Sequence, residues 1–298
     1  MTVESLLARN RAWSHRMCYG DADFFARLAR QQTPDYLWIG CSDSRVPSNQ
    51  ILDLAPGEVF THRNIANVVA SSDLNCLSVI QFAVDVLQVR HIMVVGHYGC
   101  SGIRAALEGQ RLGLVDNWLA HVGAVHTKHQ PALMALPEPE RVDRLCELNV
   151  AEQFHNVCQT HTVRDAWARG QPLSVHGWVY GLQDGRLSEL GLSALNPAVA
   201  VEAYQAALAR MTDFRYKARQ PSAGDEHFEE ISRSDDEAVS SADSAPRLGT
   251  AKHSGNLAVL YPDATQPHPS SLYMDVAPSP SLASSEVNTA KIVNHIET

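Results

Sequence analysis

The run His91-Ile92-Met93-Val94-Val95-Gly96-His97 is almost continuously apolar and leads straight into Tyr98-Gly99-Cys100-Ser101-Gly102. Neighbouring residues of a strand face opposite sides, so an unbroken apolar run belongs in a buried, parallel sheet. Tyr36-Leu37-Trp38-Ile39-Gly40, set off by Pro34, reads as a second short buried strand and opens into the polar loop Cys41-Ser42-Asp43-Ser44-Arg45. Residues 59–64 and 173–180 are further strand candidates. Asp184-Gly185 is a turn that returns the chain as another strand over 186–192.

Helical patterns lie between these strands. Residues 1–30 carry apolar positions at mixed spacings of three and four. Over 74–89, Leu77, Ile80, Ala83, Val84 and Leu87 share one face, and Ser72 or Asp73 can cap the start. A helix begins near Gly102, one or two more fill 139–169, and a closing helix fills 197–211. The alternation predicts an α/β fold: a mostly parallel central sheet flanked by helices, preceded by an N-terminal helical arm. Such folds place their sites in loops at the C-terminal ends of strands, and Cys41 and Cys100 stand in two of those loops.

Composition narrows the function. Of 298 residues, 45% are hydrophobic and 19% charged, which excludes a wholly disordered chain, a collagen-like repeat and a long coiled coil. No apolar run approaches the roughly 20 residues that span a bilayer, so no membrane association is expected. The start, MTVESLLARNRAWSHR, lacks an apolar stretch with a small-residue cleavage site, and the cytoplasm is the expected compartment. The net charge of −9 is concentrated in residues 221–298, which hold 12 acidic and 4 basic residues. That segment is also rich in Ser and Pro, so it reads as a disordered tail dispensable for activity, following a folded domain over 1–220. The remaining, near-neutral domain has no basic stripe, and no nucleic-acid partner is expected.

The six cysteines are too few for a disulfide scaffold, and in the cytoplasm each is core filler, a metal ligand or a nucleophile. Cys18, Cys76, Cys146 and Cys158 lie in helical contexts and read as core. Cys41-x-Asp43-x-Arg45 and His97-x-x-Cys100 end two matched strands. Either cluster alone is a weak signal, because a lone Cys or His after a strand is usually structural. Together they offer two thiolates and an imidazole, donors that zinc favours, and parallel strands can bring clusters 56 residues apart to one ion.

Gly40-Cys41-Ser42-Asp43-Ser44-Arg45-Val46-Pro47, His62-Arg63-Asn64-Ile65-Ala66-Asn67 and Gly96-His97-Tyr98-Gly99-Cys100-Ser101-Gly102, in this order, resemble the β-class carbonic anhydrases. Glu147-Leu148-Asn149-Val150 and His176-Gly177-Trp178-Val179-Tyr180-Gly181 extend the likeness to about residues 1–215. The resemblance implies one zinc per chain on Cys41, His97 and Cys100, and reversible hydration of CO2 to bicarbonate by hydroxide formed at the metal. Asp43 either takes the fourth zinc position or turns to Arg45. Four protein ligands would close the zinc, whereas a catalytic zinc needs an open position. A guanidinium two residues on can draw the carboxylate away.

The same resemblance makes Gln32 a substrate-orienting residue and Val46, Phe60 and Gly102 pocket residues. Val46 and Phe60 could equally be ordinary core. His62 is the first residue to examine as a proton shuttle, although a structural role suits it better. Trp38, Arg63 and Tyr180 match the residues that hold a non-catalytic bicarbonate in the regulated bacterial subset of the family; core packing and an ion pair are the plain alternatives for them. Family members are dimers built into tetramers or larger assemblies with sites at subunit boundaries, so a homodimer or homotetramer is expected. Two other functions remain open: a CS2 or COS hydrolase with the same ligands, and a structural zinc protein that binds partners through its tail. Against the latter, a purely structural site has no need of the Asp43–Arg45 pair.

Overall fold

The computed structural model describes residues 2–30 and 32–213. The readings of 221–298 as a disordered tail and of a boundary at 220 lie outside these residues.

Helix α1 (Val3–Gly20) starts at Thr2, whose hydroxyl accepts the Ser5 N–H, and α2 (Phe24–Arg30) follows. Strand β1 (Tyr36–Cys41), the short α3 (Ser48–Ile51) and β2 (Val59–Asn64) come next. A tight turn over Ile65–Asn67 precedes α4 (Leu74–Gln81), capped by the Asp73 carboxylate. After β3 (His91–His97) come α5 (Ser101–Glu108), α6 (Val115–Met134), α7 (Glu138–Gln159) and α8 (His161–Ala168). Strands β4 (Ser174–Tyr180) and β5 (Leu187–Ala194) and helix α9 (Pro197–Thr212) are the last described elements. Among the described residues no helix is long and apolar enough to cross a membrane.

Among the described residues five strands form one sheet in the order β2-β1-β3-β4-β5, parallel except for β5. The chain leaves β1 toward one edge and β3 toward the other. The neighbouring ends of β1 and β3 therefore flank the point where strand order reverses, the place where open α/β sheets form their clefts. One face carries the main core, with Leu37, Ile39, Ile92, Val94 and Val175 packed under the helices. The opposite face holds a smaller cluster of Trp38, Val46, Met93 and Val95, with Tyr36, Trp178, Tyr180 and Leu187 only partly covered. Helix α7 sits unusually low on the sheet. A Cβ at Gly96 would come within 2.5 Å of Val150, and one at Gly177 within 3.2 Å, so two glycines on adjacent strands make the slot that Val150 fills.

The helix expected over 74–89 is an α-helix only to Gln81. It then widens into a π turn over Phe82–Val86, where the Leu87 N–H reaches the Phe82 carbonyl. Helix α6 has no counterpart in the sequence reading, since its apolar positions are interrupted by histidines, by Gly123 and by Pro131. Cys76, Cys146 and Cys158 are buried as expected. Cys18 is exposed, a correction: α1 buries none of its residues, so it offers no core for a thiol to fill.

Glu152 ties α6, α7 and α9 together. Its carboxylate accepts from His129 at 2.7 Å, from the Tyr204 hydroxyl at 2.8 Å and from Lys128 at 2.9 Å. Burial would raise this carboxyl, but those hydrogen bonds outweigh it and hold the group down at about 2. A depressed folded-state value stabilises the fold above the ordinary carboxyl range and loses that contribution as pH falls through it. Glu152→Gln is expected to cost about 2–3 kcal/mol in urea denaturation at pH 7. The gap from the parent should shrink as pH falls from 4.5 toward 2.

Candidate metal centre

Cys41 is the last residue of β1 and His97 the last of β3. The Tyr98-Gly99 turn then delivers Cys100 to the start of α5, with Gly99 at a φ of 68° that a side chain would resist. The result is one buried cluster whose ligand atoms lie within 4.8 Å of one another. The Cys41 and Cys100 sulfurs are 3.9 Å apart. Two thiolates at tetrahedral zinc distances would be about 3.8 Å apart. The His97 Nδ1–H donates to the Tyr98 carbonyl at 3.0 Å, which leaves the lone pair on Nε2. That nitrogen is buried and has no hydrogen-bond partner among the described residues. An orphaned buried acceptor costs about 1–3 kcal/mol unless something ligates it. Two sulfurs and an unprotonated imidazole nitrogen therefore fit a zinc-like cation.

The cysteines divide the proton load unevenly. The hydrogen bond shared with Cys100 lowers the Cys41 thiol despite burial, with help from the Ala66 N–H. Cys100, the donor of that bond and itself buried, is pushed up. Asp43 borders the cluster, with Oδ2 3.8 Å from His97 Nε2. It is engaged elsewhere. Arg45 Nε donates to Oδ1 at 2.9 Å, Nη2 to Oδ2 at 2.7 Å and the Arg45 backbone N–H to Oδ1 at 3.0 Å. That grip holds the Asp43 carboxyl well below the usual range. Arg63, from β2, donates to the Cys41 carbonyl at 2.9 Å and also to the Asp43 carbonyl, so it clamps the loop that carries both ligand and gate.

Residues 36–187 match the family model described as carbonic anhydrase. A carbonic anhydrase of Emericella nidulans is 46% identical over 192 residues, which cover 64% of this chain and 84% of that protein. The chain belongs to the β-class carbonic anhydrases. A carbonic anhydrase of Saccharomyces cerevisiae is 33% identical over 194 residues, covering 62% of this chain and 87% of that one. Among solved structures, the Coccomyxa β-carbonic anhydrase in complex with acetazolamide aligns with a TM-score of 0.65 at 40% identity, covering 67% of this chain and 91% of that one. A β-carbonic anhydrase of Sordaria macrospora, described as tetrameric, aligns with a TM-score of 0.62 at 42% identity, covering 64% and 98%.

The other residues singled out in this carbonic anhydrase are distributed more widely. Gly102 lies beside the centre, and a Cβ there would meet Ile65 at 2.8 Å, so the glycine lets α5 approach the Ile65–Asn67 turn. Val46 is fully buried with Trp38 in the smaller cluster, whereas Phe60 is half-buried against the main core on the other face. The two do not share a wall. Gln32 is exposed in the coil before β1. The six residues of β1 put roughly 20 Å between that end and Cys41. Trp38, Arg63 and Tyr180 share the smaller cluster's face by register. The Trp38 indole lies over Gly40, where a Cβ would be 2.1 Å from Nε1, and its N–H is buried without a partner among the described residues. Arg63 has backbone carbonyls where an ion pair was the plain alternative. His62 is buried in β2 and contacts the Asn64 amide at 3.2 Å.

Polar residues of α7 support the centre, and the sequence reading assigned them no role. The Asn149 amide donates to the Ala66 carbonyl at 2.9 Å, and the Ala66 N–H, at a φ of 65°, points to the Cys41 sulfur at 3.4 Å. Gln153 accepts the Val69 N–H at 2.9 Å, and Asn156 donates to the Val69 carbonyl at 3.0 Å. On the other side, the Tyr98 hydroxyl donates to Glu147 at 2.7 Å, and Glu147 pairs with Arg144 at 3.0 Å. The available signal was their position: polar side chains in a helix segment otherwise fit for complete burial. Asn149→Ala would leave the Ala66 carbonyl unpaired and loosen the turn that steadies Cys41. Metal loss to a chelator should then accelerate about 10- to 100-fold, the scale on which outer partners act, with the far-ultraviolet circular dichroism unchanged.

Proposed function

We propose that this carbonic anhydrase interconverts CO2 and bicarbonate at a zinc ion held by Cys41, His97 and Cys100, with Asp43 and Arg45 gating the fourth position. One observation carries the reading: a carboxylate 3.8 Å from the buried His97 nitrogen is bound in a fork by Arg45 instead of facing the cluster. A closed structural site would use that carboxylate. When bound, zinc supplies Lewis acidity and makes a nucleophile of water near neutral pH. The protein fixes three ligands in a dry pocket, orients His97 through the Tyr98 carbonyl, and keeps Asp43 aside through Arg45.

We extend the proposal to regulation by a non-catalytic bicarbonate at Trp38, Arg63 and Tyr180. Its support is the unpartnered indole N–H of Trp38 on the face of Arg63 and Tyr180. An anion there would compete with the Cys41 and Asp43 carbonyls for the Arg63 guanidinium, freeing the loop and letting Asp43 turn to the metal. Such an effector acts only through unequal affinity for the two loop states.

The proposal includes a homo-oligomer. The Sordaria macrospora relative is described as tetrameric. Here α1 leaves Val3, Leu6, Leu7 and Trp13 exposed, and the smaller sheet face is incompletely covered. Gln32 can serve a catalytic centre only across a subunit boundary, since within its own chain it stands at the far end of β1.

Metal analysis should find about one zinc per chain, lost in Cys41→Ser, His97→Ala or Cys100→Ser together with CO2 hydration. Arg45→Ala should keep the zinc and lose about tenfold or more in hydration rate, since nothing then holds the Asp43 carboxylate away from the fourth position. Full activity in Arg45→Ala would refute the gate. Trp38→Phe should weaken inhibition by added bicarbonate without changing the zinc content. Inhibition identical to the parent would reduce Trp38 to core packing.

A further inference from the structure

Among the described residues, metal-ligating side chains converge in threes at two places. The first is the catalytic cluster. The second consists of His62, Asp73 and Cys76, whose ligand atoms also lie within 4.8 Å of one another. His62 comes from β2. Asp73 and Cys76 come from the start of α4, three residues apart and therefore on one face of the helix. Cys76 is fully buried and His62 nearly so, while Asp73 is half-buried and opens the cluster toward solvent.

We propose that His62, Asp73 and Cys76 form a second metal site, for a borderline divalent cation such as Zn2+ or Co2+, with its fourth position open to water. The donor set decides the class of ion. One sulfur, one imidazole nitrogen and one carboxylate oxygen suit zinc-like cations, whereas Mg2+ and Ca2+ require mostly oxygen. The side chains are prepared for this use. The Asn64 amide is fixed by Val68, donating to its carbonyl at 2.7 Å and accepting its N–H at 2.8 Å. Its Nδ2 therefore faces His62 Nε2 at 3.2 Å as a donor. That ring nitrogen is thus unprotonated, as a ligand must be, but its lone pair now accepts from Asn64, so an ion bound there requires the Asn64 amide to withdraw. Asp73 caps α4 through Oδ1, which accepts from the Asn75 N–H at 3.1 Å, and its Oδ2 is left for the ion. Burial pushes the Cys76 thiol up to about 12, so a charged sulfur persists there only beside a cation. On binding, the thiol proton leaves to solvent and no redox partner is involved. The ion would fasten the start of α4 to β2, whose Asn64 is in register with Cys41.

Enzyme holding one zinc per chain, with the weaker second site stripped by brief chelation, is titrated with Co2+ and followed by the thiolate-to-cobalt charge-transfer band in the near ultraviolet. Zinc content is measured at the end point. One Co2+ per chain should bind with the band while the first zinc stays in place. Cys76→Ala should abolish the band and keep both that zinc and CO2 hydration. Asp73→Asn, whose amide oxygen preserves the helix cap, should weaken Co2+ binding by about tenfold or more, a change at least as large as loss of an outer partner. If Cys76→Ala does not fold, Asp73→Asn decides the matter. No Co2+ uptake, uptake unchanged in the variants, or a band removed by Cys41→Ser and not by Cys76→Ala would overturn the proposal.

Discussion

Neighbouring parallel strands are about 4.8 Å apart, and the Cys41–His97–Cys100 cluster depends on that spacing between β1 and β3. Their ends are adjacent because the connections from each run to opposite edges of the sheet. Gly40 is in register with Val95, so Cys41 is level with Gly96 and His97 stands one residue further on. Side chains that alternation sends to opposite faces thus meet above the end of the sheet, where no further strand separates them. A strand inserted between β1 and β3 in another strand order would leave two half-sites.

The loops at those ends would be slack without α7. Its close approach, made possible by Gly96 and Gly177, brings Asn149 and Gln153 to the loop after β2 and Glu147 to the Tyr98 turn. The glycines therefore act on chemistry at a distance, by setting how near a helix can lie. Burial pushes the Glu147 carboxyl up despite Tyr98 and Arg144, so this support is built from groups that are costly to bury and must be fully paired.

Much of the domain was legible in one sequence because its signals are local. The run His91–His97 can only be a buried strand, and the polar ends of two such strands point to a cleft. The family likeness assembled Cys41, Asp43, Arg45, His97 and Cys100, and the structure brings these five together. What escaped was set by tertiary distance. No pattern within α6 announces a helix when its partners are residues of α7 and α9. Nothing near Asn149 reveals that its target is Ala66, 83 residues away. Gln32 and Cys41 are nine residues apart in sequence, yet an extended strand turns that interval into opposite ends of the sheet. Val46 and Phe60 are both apolar and near the first cluster, and only the folded packing shows that they belong to different cores.

The π turn over Phe82–Val86 divides what looks like one helix into two phases. One residue more than an α-helical turn is accommodated there, so the positions before and after it need not share a helical wheel. In the first half Cys76 and Ile80 enter the core, and Asp73 and Cys76 lie beside His62 of β2. The second half answers to Ala83, Val84 and Val89, which set the entry into β3. Sequence drift in one half can therefore proceed without rotating the other. The helix can tolerate change near the catalytic loops while the register of the strand that carries His97 is preserved.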